Sequence, residues 1–529
     1  MTIRLAIAAA ALSLACAAPL AAQDGSLAGV VVEAGTGRPV AGARVSVAGA
    51  AALRAGDDGR WSATALAPGA YRVRVEAVGY APREVEARVP GPAVRVALET
   101  APLALGAVVA TASRRPQALA DAPVATELIS RAEIERSGAP DLAALLRGRA
   151  GTEAQGGHPV GAGILLEGIG AERVLVLVDG EPVVGRISGV VDLSRIATAG
   201  VERVEIVKGP QSTLYGSEAM GGVIQVVTRR PEAGAWDGSA QVTAGSEGRM
   251  DADARWSGSA GALAWTAAAG RRALDQAPGV DLDAGAYSGR TDGRLRVAWT
   301  ASPDLRFEAS GSIVDEAQHW RSGQITQFAD NREWSARAGA EWRAGAHRLA
   351  PAVYVTAFDH LARAGTGTRP GGEGDPETQR LAEAELVYAF AAGAFALDAG
   401  VEGRREAITS GRVEGGEREL VSGDGYAQGT WTAGRWTVVP GARLSASERW
   451  GTHWTPRMAV LFRPVPALAL RASAGAGYRA PAFKELYMTF LNATPDFTYA
   501  VRGNPDLQPE TSRNLTVGVE WAGPTFYAT

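Results

Sequence analysis

From about residue 236 to its end, the chain alternates apolar and polar residues in run after run. Leu295, Val297 and Trp299 interleave with Arg294, Arg296 and Thr300; Leu305, Phe307 and Ala309 interleave with Arg306, Glu308 and Ser310. Trp334, Ala336, Ala338, Ala340 and Trp342 do the same with Ser335, Arg337, Glu341 and Arg343, as do Leu515, Val517, Val519 and Trp521 with Asn514, Thr516 and Glu520. A period of two puts every apolar side chain of a run on one face of a strand, so this half of the chain is confined to antiparallel sheet. Two architectures satisfy the pattern. In a soluble sandwich the apolar face is the core; in a membrane barrel it faces lipid and the polar face lines the lumen. Alternation alone does not separate them. The 66 glycines among 529 residues, with only 6% aromatics, suit many short strands and turns better than one large packed core.

The N-terminus reads as a secretory signal over residues 1–22. Arg4 supplies the charge, Leu5 to Ala18 is apolar but too short to span a membrane as a helix, and Ala21-Ala22 precede Gln23 as a small-residue cleavage site. The single cysteine, Cys16, falls inside it, so the exported chain carries no disulfide and no thiol chemistry. Lipid attachment at Leu14-Ala15-Cys16 is disfavoured by Ser13 three positions upstream. No later run of eighteen apolar residues exists, which excludes a helical membrane protein but not a barrel. The 57 Asp+Glu against 53 Lys+Arg leave no nucleic-acid footprint.

Between residues 23 and 100, Leu27 to Val32, Arg44 to Val47, Tyr71 to Val75 and Val94 to Leu98 are short β-prone runs. Turn signals separate them at 35–39, 57–60 and 67–69, and a small β-sandwich of about seven strands follows. Residues 101–115 are a linker. In 116–233, Ser130 and Glu133 form a capping box opening a short helix that Gly138 ends, and Asp141 caps a second over 142–147. Val174 to Val178 is continuously apolar and turns at Asp179-Gly180, as a strand buried on both faces does. Val204 to Thr228 then places two short strands around Lys208-Gly209-Pro210 and Tyr215-Gly216-Ser217-Glu218-Ala219-Met220-Gly221-Gly222, whose glycines permit positive φ and close backbone approach. This segment is a compact α+β domain.

Three stretches carry a family resemblance. The stretch from Pro123 through Leu177-Val178-Asp179-Gly180 to Thr228 resembles the plug domain of TonB-dependent outer-membrane receptors throughout. Residues 477–487 and 502–510 independently resemble a barrel signature of the same family. Residues 23–100 resemble the carboxypeptidase regulatory-like domain, which despite its name implies no peptidase: zinc-ligand spacing is lacking and no histidine precedes His158. The fold so implied is mainly β, with a small β-sandwich, an α+β plug over 116–233 and a transmembrane antiparallel β-barrel over 234–529. A family barrel holding such a plug needs about 22 strands. Roughly fourteen candidates fit here at about ten residues each. The chain stops mid-strand at Phe526 to Thr529, so a C-terminally incomplete barrel is expected, because open edges in lipid are untenable. Trp320, Trp334, Tyr354, Tyr388, Trp436, Trp450 and Trp454 are expected in interfacial girdles, and 364–377 and 409–419 as outward loops.

What the resemblance implies is import of a scarce nutrient, such as a ferric siderophore or cobalamin, across the outer membrane of a Gram-negative bacterium. The proton-motive force would energise it through TonB and its inner-membrane complex. A TonB box falls at 105–111 (Leu105, Val108, Val109, Thr111), where an extended segment can add a strand to its partner. The plug motif comprises Gly209, Pro210, Tyr215, Gly216, Gly221 and Gly222. Substrate would meet the plug apices at Gln155, Gly156 and His158, and at Arg186 and Ser188. The latter apex precedes Asp192-Leu193-Ser194, in the manner of the cobalamin-receptor subgroup. The competing reading is a passive or polymer-specific channel without TonB coupling. An enzyme is disfavoured, since neither G-x-S-x-G, H-E-x-x-H nor a P-loop occurs. The five histidines are scattered and read as surface residues, and no metal site follows from them. No cofactor is implied, although Asp275 to Asp283 carries carboxylates of the kind Ca²⁺ takes. Arg147, Arg149, Arg203 and Glu205 are candidates for ion pairs between plug and wall.

Overall fold

The structure is a computed structural model. It describes residues 25–528 except 36, 48–52, 78–79, 81–82, 99–107, 110, 112–116, 158–160, 188, 232–233, 235, 247, 276–286, 323–324, 366–369, 466, 494–497 and 523–526. The signal segment, Leu105, His158, Ser188 and nearly all of the acidic 275–283 loop therefore lie outside the described residues. The chain divides into two compact units, 1–106 and 107–529.

In the first unit, seven strands between Gly25 and Leu98 form a three-stranded and a four-stranded sheet. Alternation does the work. Val45 and Val47 on one strand and Val73 and Val75 on its neighbour turn inward, against Leu27, Val31, Val96 and Leu98 from the other sheet, and all are essentially buried. Their partners Arg44, Arg72 and Arg74 face water. This is the expected sandwich.

The second unit begins with the α+β domain. Its sheet runs in the order Thr126–Ser130, Val201–Lys208, Gly222–Thr228, Val174–Val178, Glu181–Pro182. The apolar run Val174–Val178 is buried on both faces, as expected. Val174 and Val176 face a core with Ile134, Leu142, Leu145 and Leu146 from the two short helices. Leu175 and Leu177 face Leu214, Tyr215 and Val223 from the glycine-rich motif. Ser130 caps the helix Arg131–Ser137 by accepting from the Glu133 amide at 3.4 Å, and Gly138 ends it at φ 60°. The Glu133 carboxylate takes Arg149 at 2.9 Å. Asp141 accepts from the Ala144 amide at 2.8 Å.

Around this domain, fifteen antiparallel strands from Asp237 to Ala528 form one sheet, the last only Tyr527–Ala528. The order follows the sequence except that a hairpin, Thr489–Ala493 with Thr498–Arg502, stands between Leu468–Arg479 and Glu510–Ala522. The faces settle what alternation left open. Leu295, Trp299, Ile313, Trp334, Val353 and Val401 point outward and are 43–58% exposed. Arg290, Arg296, Glu316, Glu402, Arg443 and Arg457 point inward and are buried. Charge inside and apolar outside is a lipid-facing barrel wall, not a soluble sandwich. Among the described residues no helix is long and apolar enough to cross a membrane.

Several expectations need correction. Tyr354 belongs to no girdle: it is 8% exposed, and its hydroxyl donates inward to the Pro182 carbonyl at 3.3 Å. Trp450 is half-buried and lines an internal cavity, whereas Trp334, Trp436 and Trp454 do face outward. The strands His347–Gly365 and Gly371–Ala392 run through most of 364–377, expected as a loop, whereas residues 411–416 of the expected loop 409–419 do form the turn between Phe395–Ser410 and Glu417–Ala433. Ladder hydrogen bonds extend these strands past the point where polarity suggested an end. Arg149 pairs within the plug, with Glu127 at 2.7 Å, and Arg203 with Glu205 at 2.7 Å. Arg149 bridges a strand and a helix of the plug, Arg203 pairs along its own strand, and among the described residues neither these nor Arg147 joins a plug-to-wall ion pair. His319 and His360 are not free surface groups: one stacks on Tyr287 at 5.0 Å, and the other bonds Asn331 at 2.7 Å.

Candidate ligand cavity

The plug is held to the wall largely by charge. Arg173 pairs with Glu510 at 2.7 Å, Asp179 with Arg296 at 2.5 Å, Glu181 with Arg337 at 2.5 Å and Arg195 with Glu333 at 3.6 Å. Burial alone pushes the Asp179 carboxyl up, but Arg296 and Arg294 beside it, with the Thr228 hydrogen bonds, outweigh that and hold it below the usual carboxylate range.

Above this seam lies a cavity of about 900 Å³, closed below by the plug and around by the wall. Gln155, Glu172, Arg186, Ser217 and Glu218 reach it from the plug; Gln379, Arg404, Arg443, Trp450, Tyr478, Arg479, Lys484 and Tyr487 reach it from the wall. Many of its charges are paired. Arg186 pairs with Glu218 at 2.6 Å, Arg404 with Glu383 at 2.9 Å, and Arg479 with Glu510 at 2.9 Å. Lys484 pairs with Glu377 at 2.7 Å. Arg443, 1% exposed, is held between Glu402 at 3.1 Å and Asp424 at 3.0 Å. Side chains fixed this way form a preorganised polar lining with aromatic faces, suited to a ligand of several hundred cubic ångströms with both polar and flat apolar surface.

Both expected apices contribute. Gln155 lies on the strand Thr152–Gly157, and its side-chain oxygen accepts from the Ala171 amide at 2.7 Å, fixing the hairpin. Gly156, at φ 76°, sits where a Cβ would meet the Gly161 carbonyl at 2.7 Å. Arg186 is tied to the wall through its backbone: its amide donates to Gln379 at 3.2 Å, and its carbonyl accepts from Gln379 at 3.1 Å and Lys484 at 3.2 Å. None of the plug-motif residues themselves lines the cavity; Ser217 and Glu218, between Gly216 and Gly221, do. The Gly209 amide donates to the Gly221 carbonyl at 3.0 Å, closing the turn at Pro210, and Gly222 opens the strand behind it. The one-turn helix Ser212–Tyr215 ends at Gly216, φ 74°, against Arg443.

The wall half of the cavity was not anticipated. Lys484 and Tyr487 fall inside the resembling stretch 477–487, which could have marked them. Arg404 and Arg443 carried only the weaker signal of charge at inward positions of a strand. Of the expected TonB box, Val108–Val109 forms a two-residue strand against Gln117–Ala118, and Val109 and Thr111 are buried. Among the described residues no cluster of three or more metal-ligating side chains occurs.

Comparison with known proteins agrees with this architecture. Residues 235–529 match the family model for TonB-dependent receptor-like β-barrels, 118–223 that for the TonB-dependent receptor plug domain, and 26–100 that for the carboxypeptidase regulatory-like domain. The chain is 25% identical to the iron-regulated outer membrane virulence protein of Vibrio cholerae serotype O1, the match covering 78% of this chain and 66% of that protein. It is 23% identical to the vitamin B12 transporter BtuB of Photobacterium profundum, with the same coverages. It thus spans just under two thirds of the length of these relatives. The crystal structure of the siderophore receptor PirA from Pseudomonas aeruginosa shares the fold, with a TM-score of 0.61 at 19% identity over 75% of this chain and 71% of that one. FpvA of the same organism, bound to a pyoverdine, shares it at 0.65 and 13%, over 80% and 65%. The family consists of outer-membrane receptors and transporters rather than enzymes. The chain belongs to the TonB-dependent receptors, a plugged β-barrel of the outer membrane.

Proposed function

We propose that this chain binds a scarce chelate or cofactor, a ferric siderophore or cobalamin, in the cavity over Gln155 and Arg186, and that TonB, recruited through residues 105–111, powers its import. The observation that carries the reading is the cavity itself: about 900 Å³, lined from both plug and wall by matched charges and aromatic rings. The relatives named for iron regulation and for vitamin B12 support this substrate range. Ligand binding to the full chain in outer-membrane vesicles, read by intrinsic Trp fluorescence against cobalamin and a panel of ferric siderophores, tests it. Saturable binding that falls on Arg186→Ala supports the site, and binding of neither class refutes the substrate range. Deleting 105–111 should abolish uptake while leaving binding intact. Uptake that survives the deletion replaces this reading with the passive or polymer-specific channel.

A further inference from the structure

A second chamber, of about 80 Å³, lies in the seam between the plug and the strands Leu263–Leu274, Tyr287–Ser302, Leu305–Ser322 and Ile325–Ala344. Of the residues that line it, only Val183 also lines the larger cavity. Arg195 reaches it from the plug, at the end of the short turn Leu193–Arg195, which Asp192 caps by accepting from the Ser194 amide at 3.0 Å. From the wall come Arg296 and Thr266, directly opposite each other on adjacent strands. All three are buried, at 4%, 3% and 8% exposure. Each carries buried polar atoms that no hydrogen bond reaches among the described residues: Nε and Nη1 of Arg195, Nε and Nη1 of Arg296, and the Thr266 hydroxyl. Glu333 lies 3.6 Å from the Arg195 Nη1, and Glu308 lies 3.5 Å from the Arg296 Nε, both beyond good hydrogen-bond length.

The unmet groups are of one kind. A guanidinium only donates, and a threonine hydroxyl can donate. Buried donors of this sort are met in nearly every protein, by the chain, by water or by an ion. Arg195, Arg229, Arg294 and Arg296 line the chamber against Asp292 and Glu333. Asp292 is engaged from outside the lining by Arg272 and Arg290, each at 3.4 Å. Behind the lining, Asp179 takes Arg296 at 2.5 Å and Arg294 at 3.7 Å, and Arg229 pairs with Glu202 at 3.3 Å and Asp237 at 3.2 Å. What the spare donors of Arg195, Arg296 and Thr266 call for is an acceptor that brings no hydrogens of its own. At about 30 Å³ per water, the chamber has room for two or three waters or for one small ion. We propose that it binds a small inorganic anion, of chloride to phosphate size, which bridges Arg195 of the plug to Arg296 and Thr266 of the wall. The site is separate from the ligand cavity and does not depend on what that cavity takes. A bound anion adds charge-assisted hydrogen bonds across the seam and stabilises the seated plug by mass action.

The test is hydrogen exchange, read by mass spectrometry over residues 193–200, on the full chain in neutral detergent micelles. Sodium gluconate, whose anion is too large for the chamber, is exchanged for sodium chloride or sodium phosphate at a constant ionic strength of about 0.15 M. An anion that binds only the seated plug slows exchange in proportion to its concentration over Kd, about tenfold at about nine times Kd. Thr266→Val removes a hydroxyl that the described residues do not bond, so exchange in gluconate should keep its wild-type rate while the anion's Kd rises about fivefold. Arg195→Gln should lose the slowing altogether. Equal exchange in the three salts overturns the proposal and leaves the chamber to water. Slowing that persists in Arg195→Gln, or that Thr266→Val leaves untouched, places the anion elsewhere and overturns the site. A merely structural role for Thr266 predicts faster exchange of Thr266→Val in gluconate, with the response to chloride and phosphate unchanged.

Discussion

Asp179 is a heavily tied acid of the plug, and its removal has a calculable cost. The residue turns the chain after Val174–Val178 at φ 57°. One oxygen accepts from the Thr228 amide at 2.8 Å, and the other from the Thr228 hydroxyl at 2.7 Å and from Arg296 at 2.5 Å. Its side chain is 12% exposed and that of Arg296 is 3% exposed. Breaking a buried pair from one side costs about 3–5 kcal/mol. Arg296 retains Glu308 at 3.5 Å, so the lower end applies to Asp179→Ala, about 3 kcal/mol. Asp179→Asn keeps an acceptor for the Thr228 amide and tolerates the left-handed φ, so only charge and one acceptor are lost, about 1.5 kcal/mol. The plug, 116–233, contains no tryptophan, so fluorescence would report the barrel instead. Native-state hydrogen exchange read by mass spectrometry on peptides spanning Gly222–Thr228 measures the relevant opening. At about 1.4 kcal/mol per decade, protection should fall about a hundredfold in Asp179→Ala and about tenfold in Asp179→Asn. Equal protection in wild type and Asp179→Ala would refute the view that charge seats this side of the plug.

Three further outcomes follow from the same contacts. Because the Asp179 carboxyl lies below its ordinary value of 3.8, its stabilising contribution is complete above that value and lost as pH falls through the folded-state value; exchange at Gly222–Thr228 should accelerate in acid in wild type and less in Asp179→Asn. Gly216→Ala places a Cβ 2.9 Å from an Arg443 nitrogen that Glu402 and Asp424 hold in place, at a φ of 74°; ligand affinity should fall about tenfold by titration while barrel melting stays unchanged. Arg471 donates to the carbonyls of Ala120 and Ala122, both at 2.9 Å, so Arg471→Ala should speed exchange over 119–124 about tenfold.

What could be read from the sequence was whatever local chemistry determines. Ser130, Gly138 and Asp141 act within four residues of themselves, so their helices were legible in place and extent. The run Val174–Val178 announced burial on both faces because no polar residue interrupts it. The inward and outward faces of the barrel strands were equally legible, but not which face meets water, since period two is the same in a sandwich. Partners were not legible. Arg173 and Glu510 are 337 residues apart, and Glu181 and Arg337 are 156 apart. Charge at an inward position says that a partner exists without saying which, because strand register and the rotation of the plug within the wall decide it. For this reason Arg149 and Arg203, candidates for ion pairs with the wall, instead pair within the plug.

The seam between plug and wall has a composition that bears on how it moves. Among the described residues, apolar clusters cross it at only a few points: Tyr426 joins Leu175, Leu214 and Val223, while Val439 and Ala459 join Val124 and Val207. Beside them the Arg195 guanidinium lies 4.5 Å over the Phe358 ring of the wall, and ion pairs and hydrogen bonds make up much of the rest. An apolar seam would resist separation in proportion to its area, and water entering it would restore nothing. A polar seam behaves differently, because water can replace each hydrogen bond at a net cost of about 1 kcal/mol once the site is wetted, while an unwetted, half-broken pair is expensive. Such a seam is firm against partial loosening yet able to part in a hydrated state. Specific pairs such as Arg173 with Glu510 then fix the orientation to which it returns. The import proposed above would require both properties of the plug, and the charge-lined interior that distinguishes this barrel from a soluble sandwich is suited to them.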